Sequence, residues 1–407
     1  MENGNKYNKS VSSMIKILHL TTMDSGFVNM AYKQFNEAGE NLVNNKFFYI
    51  SNNDETKHID LDCIEKINSK KATNKIFINT LKNYDAVVLH MLTDTLIEIV
   101  KKTEDNVNFV WIGWSGDYYR FINNLEWFLP ETKASMLLAE KSLKLKLKSY
   151  IKTIVGEENI KYIKRKKIIR DMKILNKINF FAPVLNNEFD FIKENIKDFR
   201  ANFIDWNYGN LEDSLVMENC NLDDIIDTKE TNILIGNSSF FINNHIEAFN
   251  KIEILDSKNC KIFCPLSYGN FENIEIVKKY GNEKFGKNFY PLCNFMNAND
   301  YKNVIKSCSV VVMNHLNQQA LGNIVISMWF GSKIFLNKQN LIYQFFKKEG
   351  AFIFSMEELD DRVDLKRLNI DEIIANRKIL LKHWSRESSL NKTKNLISLI
   401  VSPSEMK

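Results

Sequence analysis

The residues best suited to bind a ligand form one short polar string, residues 318–323, in the second half of this 407-residue chain. An apolar run at 309–313, typical of a buried strand, precedes the string, and a second run at 324–329, typical of a buried helix, follows it. Open α/β sheets place ligands in such glycine-containing loops, because backbone N–H groups and the helix N-terminus favour phosphate. We predict that four residues here bind a nucleotide-sugar donor: Gln318, Gln319, Gly322 and Asn323.

Two other loops in this half follow predicted strands at 231–235 and 261–265. Glycine allows the backbone to approach a diphosphate closely, and the amides of such a loop bind it. Ordinary turns with an Asn or Ser cap are the alternative, and a lone helical histidine is more often structural. We predict that six residues contact the donor: Gly236, Asn237, Ser238, His245, Tyr268 and Gly269.

The first half offers two carboxylates that could take the proton from an acceptor hydroxyl as general base. Asp24 follows a predicted strand at 15–20, and Asp117 lies in an aromatic, glycine-rich loop after a predicted strand at 109–114. The alternatives are a helix cap for Asp24 and a turn carboxylate for Asp117.

Polar and aromatic residues near these carboxylates suit an acceptor-binding surface. Aromatic side chains can stack on a sugar face, although buried packing is their commoner role. Neither half has an acidic pair placed to hold a metal, so we expect no metal site. The predicted acceptor-binding residues are Asn29, His90, Trp114, Tyr118 and Tyr119.

Continuously apolar strands separated by helical stretches indicate parallel sheets covered on both faces. The pattern occurs twice, which predicts an α/β protein with two Rossmann-like domains that face a cleft. We place a polar tail at 1–13, an N-terminal domain at 14–205 and a linker at 206–230. A nucleotide-sugar-binding domain follows at 231–365, and helices at 366–407 are expected to pack across both domains.

Composition excludes several protein classes. Apolar residues at 44% and charged residues at 26% describe a globular protein and not a disordered one. The six cysteines show no metal-ligand spacing, and the N-terminus does not read as a signal peptide, so we expect a reduced, cytoplasmic protein. A membrane span needs roughly 20 mostly apolar residues, and the sequence predicts none.

Residues 133–177 carry a net charge of +10, whereas the whole chain carries +5. Basic side chains interleaved with Ile, Leu and Tyr suit a surface that meets anionic lipid headgroups. A solvated helix face and nucleic acid are the alternatives. We predict peripheral membrane binding, with no nucleic-acid partner, through Lys164, Arg165, Lys166, Lys167 and Arg170.

Several strings, in their order and spacing, resemble one enzyme family. The chain is similar, from about residue 15 to 360, to the bacterial dTDP-N-acetylfucosamine:lipid-linked N-acetylfucosaminyltransferases. These enzymes are also called 4-acetamido-4,6-dideoxygalactose transferases, glycosyltransferase family 56. The strings that carry the resemblance are 18–20 with Asp24 and Asn29, 111–119, 233–238 with Asn243 and His245, 268–269, and 318–322.

This resemblance implies a GT-B glycosyltransferase fold and a dTDP-activated 4-acetamido-4,6-dideoxyhexose donor. It also implies a polyprenyl-diphosphate-linked saccharide acceptor at the cytoplasmic face of the bacterial inner membrane. No cofactor or metal is expected, since amides and helix dipoles can stabilise a leaving diphosphate. The alternatives are a sugar-nucleotide enzyme of the same fold, such as an epimerase, and a non-catalytic partner in polysaccharide assembly.

Overall fold

The computed structural model describes residues 14–53, 55–104, 106–122, 126–144, 171–215, 230–255 and 260–401. Within these ranges the strands form two parallel sheets. The strands are β1 Ile15–Thr21, β2 Val43–Ile50, β3 Glu65–Ile67, β4 Ala86–His90, β5 Phe109–Ile112, β6 Ile178–Ala182, β7 Asn202–Phe203, β8 Asn232–Ile235, β9 Ile262–Pro265, β10 Phe289–Leu292, β11 Cys308–Met313, β12 Lys333–Leu336 and β13 Phe354–Ser355.

The N-terminal sheet has the strand order β3-β2-β1-β4-β5-β6-β7. Every residue of β4 and β5 is buried, because separate apolar clusters cover the two faces of the sheet. This double cover explains why these strands are continuously apolar. The described helices of this half are α1 Gly26–Gly39, α2 Ser69–Ala72, α3 Lys75–Thr80, α4 Asp94–Lys102, α5 Pro130–Lys144 and α6 Asn186–Asn195.

The C-terminal sheet has the order β10-β9-β8-β11-β12-β13, again with an apolar cluster on each face. In both sheets the order reverses beside the first strand, between β1 and β4 and between β8 and β11. The crevice at the carboxyl ends of such a strand pair is the usual ligand position. The helices of this half are α7 His245–Ile252, α8 Phe271–Phe285, α9 Ala298–Ser307, α10 Leu321–Trp329 and α11 Leu341–Lys348.

Helices from each half cross to the other domain. Helix α5 packs on α7 and α8 of the C-terminal domain, where the Thr132 backbone and hydroxyl both donate to Glu247. Of the C-terminal helices, α12 Ile370–Trp384 packs on α10, and α13 Arg386–Val401 returns to α1. The Trp206 indole donates to Thr393 of α13 at 2.9 Å. The last helix is therefore part of the N-terminal core.

The edge strands β3, β7 and β13 were not predicted, because two or three residues are too few to show a pattern. The sequence predicts helix throughout 134–177. Within the described residues, α5 ends at Lys144 and a 3₁₀ turn occupies Lys173–Lys177. The predicted membrane residues Lys164, Arg165, Lys166, Lys167 and Arg170 lie outside the described residues.

Candidate functional site

The carboxyl ends of the two sheets face each other. The Leu129 backbone, after β5, donates to Oδ1 of Asn244, after β8, at 2.9 Å. The rings of His58, after β2, and Phe295, after β10, are 6.2 Å apart between centroids. Loops that follow parallel strands of both domains therefore line one cleft.

The loop after β8 is held in shape by Gly236, whose φ of 69° lies in the left-handed region. A Cβ atom at this position would lie 2.8 Å from Oδ1 of Asn243 and 2.8 Å from Nε2 of His245. The Asn237 backbone donates to the same Asn243 oxygen at 3.0 Å. Glycine is required here because the backbone passes directly against both side chains.

His315, after β11, joins this loop from the neighbouring strand. Its Nε2 lies 3.0 Å from Oδ1 of Asn237 and 2.9 Å from Oδ1 of Asn243. The amide nitrogens of both asparagines donate elsewhere, to Tyr268 and Ser238. Both facing atoms are therefore acceptors, which assigns the proton of His315 to Nε2.

Three buried ring nitrogens at this edge have no hydrogen-bond partner among the described residues: Nδ1 of His315, and Nδ1 and Nε2 of His245. The two residues are 0% and 2% exposed. Burial lowers the pKa of each to about 3, and for His245 the neighbouring His315 contributes in the same direction. Unpaired buried polar atoms are uncommon in folded proteins, so a ligand that supplies partners for these nitrogens would remove an unfavourable feature.

Two helices begin at the same edge without a side-chain cap. The residue before α7 is Asn244 and the residue before α10 is Ala320, both with a positive φ. The side chain of Asn244 is engaged by Leu129 and Asn314 instead. The first N–H groups of a helix lack partners within it and carry partial positive charge, so both termini suit an anion.

The remaining predicted donor residues surround these groups. Tyr268 is 55% exposed, and Gly269 is required because a Cβ would lie 2.7 Å from the Phe240 backbone nitrogen. Ser238 is fully buried and accepts a hydrogen bond from Asn243. Gln318 is buried against the cleft, whereas three half-buried residues lie in the turn that begins α10: Gln319, Gly322 and Asn323.

On the opposite edge, Asp24 accepts backbone hydrogen bonds from Lys57, His58 and Ile59 at 2.6–3.0 Å. Partial burial raises the pKa of Asp24, but the three backbone N–H groups outweigh it and the pKa falls below its usual range. Asn29 holds the same loop through the His58 carbonyl at 2.9 Å. Both residues thus shape the loop after β2, and the assignment of Asp24 as base stays a prediction.

The structure does not present Asp117 to the cleft, which corrects its assignment as a base. Asp117 is 2% exposed, and its two oxygens accept from the Leu92 backbone, the Trp111 indole and the Trp114 backbone at 2.7–2.8 Å. Burial raises the pKa of this carboxyl, and the hydrogen bonds oppose that rise. Asp117 fixes the loop after β5, because both of its carboxylate oxygens accept hydrogen bonds from surrounding residues.

Tyr118 and Tyr119 are also buried, at 0% and 6% exposure, so neither offers a face to a sugar. Both hydroxyls donate to one oxygen of Glu188, at 2.8 and 2.6 Å. Burial raises the pKa of Glu188 to about 7. The predicted stacking role is wrong for this pair, which packs in the core instead.

His90 is buried in a hydrogen-bonded chain and is not free to contact an acceptor. Its Nδ1 lies 2.7 Å from the Tyr208 hydroxyl, and its Nε2 lies 3.0 Å from His19. The Trp114 indole donates to the same Tyr208 hydroxyl at 2.8 Å. The chain fixes Trp114 and Tyr208, which pack with the 43% exposed Phe27 at ring distances of 5.1–5.6 Å. We call these three residues the aromatic platform.

Sequence reasoning missed His315, His58, Phe27 and Tyr208. His315 had a signal, because it lies two residues after the buried strand β11 and just before the polar string at 318–323. Phe27 adjoins the Asp24 loop and could have been included with it. The loops that hold His58 and Tyr208 carry no local pattern, and only the tertiary structure brings them to the cleft.

Among the described residues, no group of three or more His, Cys, Asp or Glu side chains could hold a metal ion. None of the helices in the described ranges is both long and apolar enough to cross a bilayer. The expectations of no metal and of peripheral membrane binding stay predictions.

Comparisons with solved structures show the fold. The chain is similar to a trehalose-6-phosphate enzyme from E. coli bound with UDP-2-fluoro glucose (TM-score 0.59, 9% identity, 96% of this chain and 99% of that one). It is also similar to sucrose-phosphate synthase from Thermosynechococcus elongatus (TM-score 0.58, 10% identity, 95% and 99%). A glycosyltransferase from Rickettsia africae aligns with a TM-score of 0.54 and 13% identity over 96% and 100% of the two chains. The two-domain arrangement is the GT-B fold.

A family model described as 4-alpha-L-fucosyltransferase, glycosyl transferase group 56, matches residues 185–377. This range covers the C-terminal sheet with its donor-side loops and most of α12. The match confirms the family resemblance stated from the sequence. The protein is thus a GT-B glycosyltransferase, and its residues 185–377 match the group 56 family model.

Proposed function

We propose that the protein transfers a 4-acetamido-4,6-dideoxyhexose of the N-acetylfucosamine type from a dTDP-sugar to a polyprenyl-diphosphate-linked saccharide in surface-polysaccharide assembly. One observation carries the donor half of this proposal. Unpaired ring nitrogens and two uncapped helix N-termini meet at the strand-order reversal of the C-terminal sheet. A nucleoside diphosphate supplies acceptor oxygens for the N–H groups of both helix termini and for the ring N–H of His245.

The rim beside this pocket suits the rest of the donor. Tyr268 and Phe240 are 55% and 40% exposed, and their rings are 6.1 Å apart. A 6-deoxy sugar carries a methyl group, and a nucleobase has a flat face, so either part gains contact area from exposed aromatic rings. The half-buried amide of Gln319 could hydrogen-bond hydroxyl or acetamido groups, and Asn323, whose amide nitrogen donates to Tyr301 at 3.0 Å, offers its amide oxygen.

The aromatic platform supports binding of the acceptor saccharide on the opposite edge. Phe27, Trp114 and Tyr208 are partly exposed beside the Asp24 loop, and the His90 chain fixes the orientation of two of them. Rings held in this way can stack on the apolar face of a pyranose without losing further side-chain freedom.

In the proposed reaction, an acceptor hydroxyl oxygen bonds to the anomeric carbon while the bond from that carbon to the diphosphate oxygen breaks. The electron pair of the broken bond leaves with dTDP, where helix termini stabilise the developing charge. Asp24 is the proposed base for the hydroxyl proton. Its lowered pKa makes it a weak base, so His58, whose backbone N–H donates to the same carboxylate, is the second candidate.

The membrane part of the proposal rests on the sequence. A lipid-linked acceptor presents its diphosphate near the headgroups, and the +10 segment at 133–177 would hold the protein there. We expect binding to anionic vesicles that high salt reverses. Charge reversal of Lys164, Arg165, Lys166 and Lys167 to Glu should abolish it, and equal sedimentation with neutral vesicles would contradict it.

The function is tested by incubating the protein with single dTDP- and UDP-sugars and a bacterial lipid extract, and then analysing lipid products by mass spectrometry. We expect dTDP release that requires the extract, together with a lipid-linked product extended by one acetamidodideoxyhexose. Conversion of the nucleotide sugar without the extract would indicate an epimerase. No turnover and no nucleotide binding would indicate a non-catalytic partner, and turnover of UDP-sugars alone would replace the donor.

A further inference from the structure

The donor-side loops contain no fixed charge. Residues 236–244, 266–270 and 314–323 include no Lys, Arg, Asp or Glu. A nucleotide-sugar brings two negative charges on its diphosphate, and burying charge without a counter-charge is unfavourable. Helix termini supply only partial positive charge. The titratable nitrogen bases at this edge are His245 and His315.

These two histidines form what we call the two-histidine pocket. Both rings are buried, and three of their four nitrogens have no partner. The Nε2 proton of His315 is committed to Asn237 and Asn243, which leaves Nδ1 as an unpaired acceptor. An acceptor cannot bind a phosphate oxygen, but the same nitrogen becomes a donor once it gains a proton.

We infer that the two-histidine pocket binds the diphosphate of the donor together with a proton taken from solvent, so that the site becomes cationic only when occupied. The inference rests on the proposed donor function and adds its electrostatic mechanism. One proton is expected, because two neighbouring imidazolium groups would repel each other. The second ring then donates its neutral N–H to the ligand.

The free pocket is neutral throughout the physiological range, since burial holds the pKa of both histidines near 3. An opposite charge within about 4–6 Å favours the protonated form, and a diphosphate places two such charges there. The direction follows from linkage: a ligand that raises a pKa binds more tightly as pH falls. With full uptake of one proton, affinity should change about tenfold per pH unit.

Other charged groups near the pocket are engaged or neutral. On α7 and the helices packed against it, carboxylates and ammonium groups pair away from the rings: Glu247 with Thr132, Glu131 with Asn250, and Lys284 with Glu253. The hydroxyls of Tyr268 and Tyr301 accept from Asn237 and Asn323, and burial raises the pKa of both tyrosines. Across the cleft, Glu188 behind Tyr119 also titrates, with a pKa of about 7. Any contribution from Glu188 must therefore be separated by variants.

The test is isothermal titration calorimetry of the full-length protein with dTDP-glucose at pH 6, 7 and 8. Each pH is measured in two buffers of different ionisation enthalpy. A dTDP-sugar is used instead of dTDP because its two phosphates do not titrate in this range. We expect proton uptake on ligand binding and an affinity that weakens as pH rises, by up to about tenfold per pH unit.

The variants H245Q and H315Q keep a neutral hydrogen-bonding side chain without a titratable nitrogen. We expect weaker binding that depends less on pH, with uptake abolished in the double variant. E188Q should retain uptake, which excludes Glu188 as its source. The matched control is H383Q, since His383 pairs with Glu349 on the packing face of α12 and should leave uptake unchanged.

Binding of dTDP-glucose without proton uptake, or uptake that persists in the double variant, overturns the inference and leaves the proposed donor intact. Binding of UDP-glucose alone, with uptake, supports the inference and overturns the donor assignment. Absence of binding by either nucleotide-sugar at any pH overturns both. If the double variant does not fold, the buffer dependence of the wild-type protein decides the question.

Discussion

The two edges of the cleft differ in how their polar groups are satisfied. On the N-terminal edge, Asp24 accepts three hydrogen bonds and Asp117 accepts three, so both carboxylates are used to shape loops. On the C-terminal edge, ring nitrogens of His245 and His315 are buried without partners. A satisfied edge is already stable, whereas an unsatisfied edge gains stability when a ligand completes it.

This contrast suits different roles for the two edges: the N-terminal edge for orienting an acceptor, and the C-terminal edge for binding a donor. The N-terminal edge orients the aromatic platform and the loop after β2 with a preformed network, which suits an acceptor that must be held at a defined angle. The loops of the C-terminal edge, 236–244, 266–270 and 314–323, contain no Lys or Arg, and in the proposed function the donor supplies the missing partners. Substitutions on the first edge should therefore affect folding and turnover, and those on the second should affect donor affinity.

The largest expected effect is on turnover. Asp24→Asn should lower the turnover number about 10²–10⁴-fold, the usual scale for a general base, while dTDP-glucose still binds. Steady-state kinetics and calorimetry measure the two quantities. Asn29→Ala loosens the same loop without removing the carboxylate and should cause a smaller loss. Normal turnover in Asp24→Asn would show that this carboxylate only shapes the loop, as Asp117 does.

The next effect is on stability. Asp117→Asn should reduce the free energy of unfolding by about 3 kcal/mol. The substitution replaces one carboxylate oxygen by an amide nitrogen, which cannot accept, so at least one buried N–H donor loses its acceptor. Denaturant titration measures this change. The control is Asp205→Asn, which removes a partly exposed pair with Lys392 and should change stability by about 1 kcal/mol or less. Comparable losses in the two variants would contradict the structural role of Asp117.

A third effect is on dTDP affinity, which should change with substitutions on the C-terminal edge and not with those on the N-terminal edge. Gly322→Val and Gln319→Ala alter the turn that begins α10 and should weaken dTDP affinity about tenfold, or about 1.4 kcal/mol. A thermal-shift titration with dTDP follows the change. Gly116→Ala is the control on the other edge, since a Cβ there has no atom within 4 Å. Unchanged dTDP affinity in both α10 variants would remove this turn from the donor site.

The smallest effect concerns the acceptor. Phe27→Ala should raise the KM for the lipid-linked acceptor about three- to tenfold, which corresponds to the loss of one aromatic contact, and should leave dTDP affinity unchanged. Phe352→Ala removes a ring of similar exposure, 40% against 43%, from a surface of the other domain and is the matched control. An equal change in KM for both variants would show that the aromatic platform does not bind the acceptor.

Local sequence was sufficient for the framework of the protein. Long, continuously apolar strands such as β4 and β11 are buried on both faces, and that burial leaves a pattern readable without partners. The loops after β8, β9 and β11 could be located in the same way, because glycine and polar residues interrupt apolar runs there. The two-domain GT-B fold and the position of the donor-side loops therefore follow from local pattern together with the family resemblance.

Tertiary structure decided the state of each side chain. Asp117, Tyr118 and Tyr119 resemble a polar, aromatic site in the sequence. In the structure, Asp117 accepts a hydrogen bond from the Leu92 backbone, and both tyrosine hydroxyls donate to the buried Glu188. Conversely, His315 meets Asn243, 72 positions away, only because β8 and β11 are adjacent. Hydrogen-bond satisfaction depends on such long-range neighbours, and a local sequence pattern contains no information about which distant group will supply the partner.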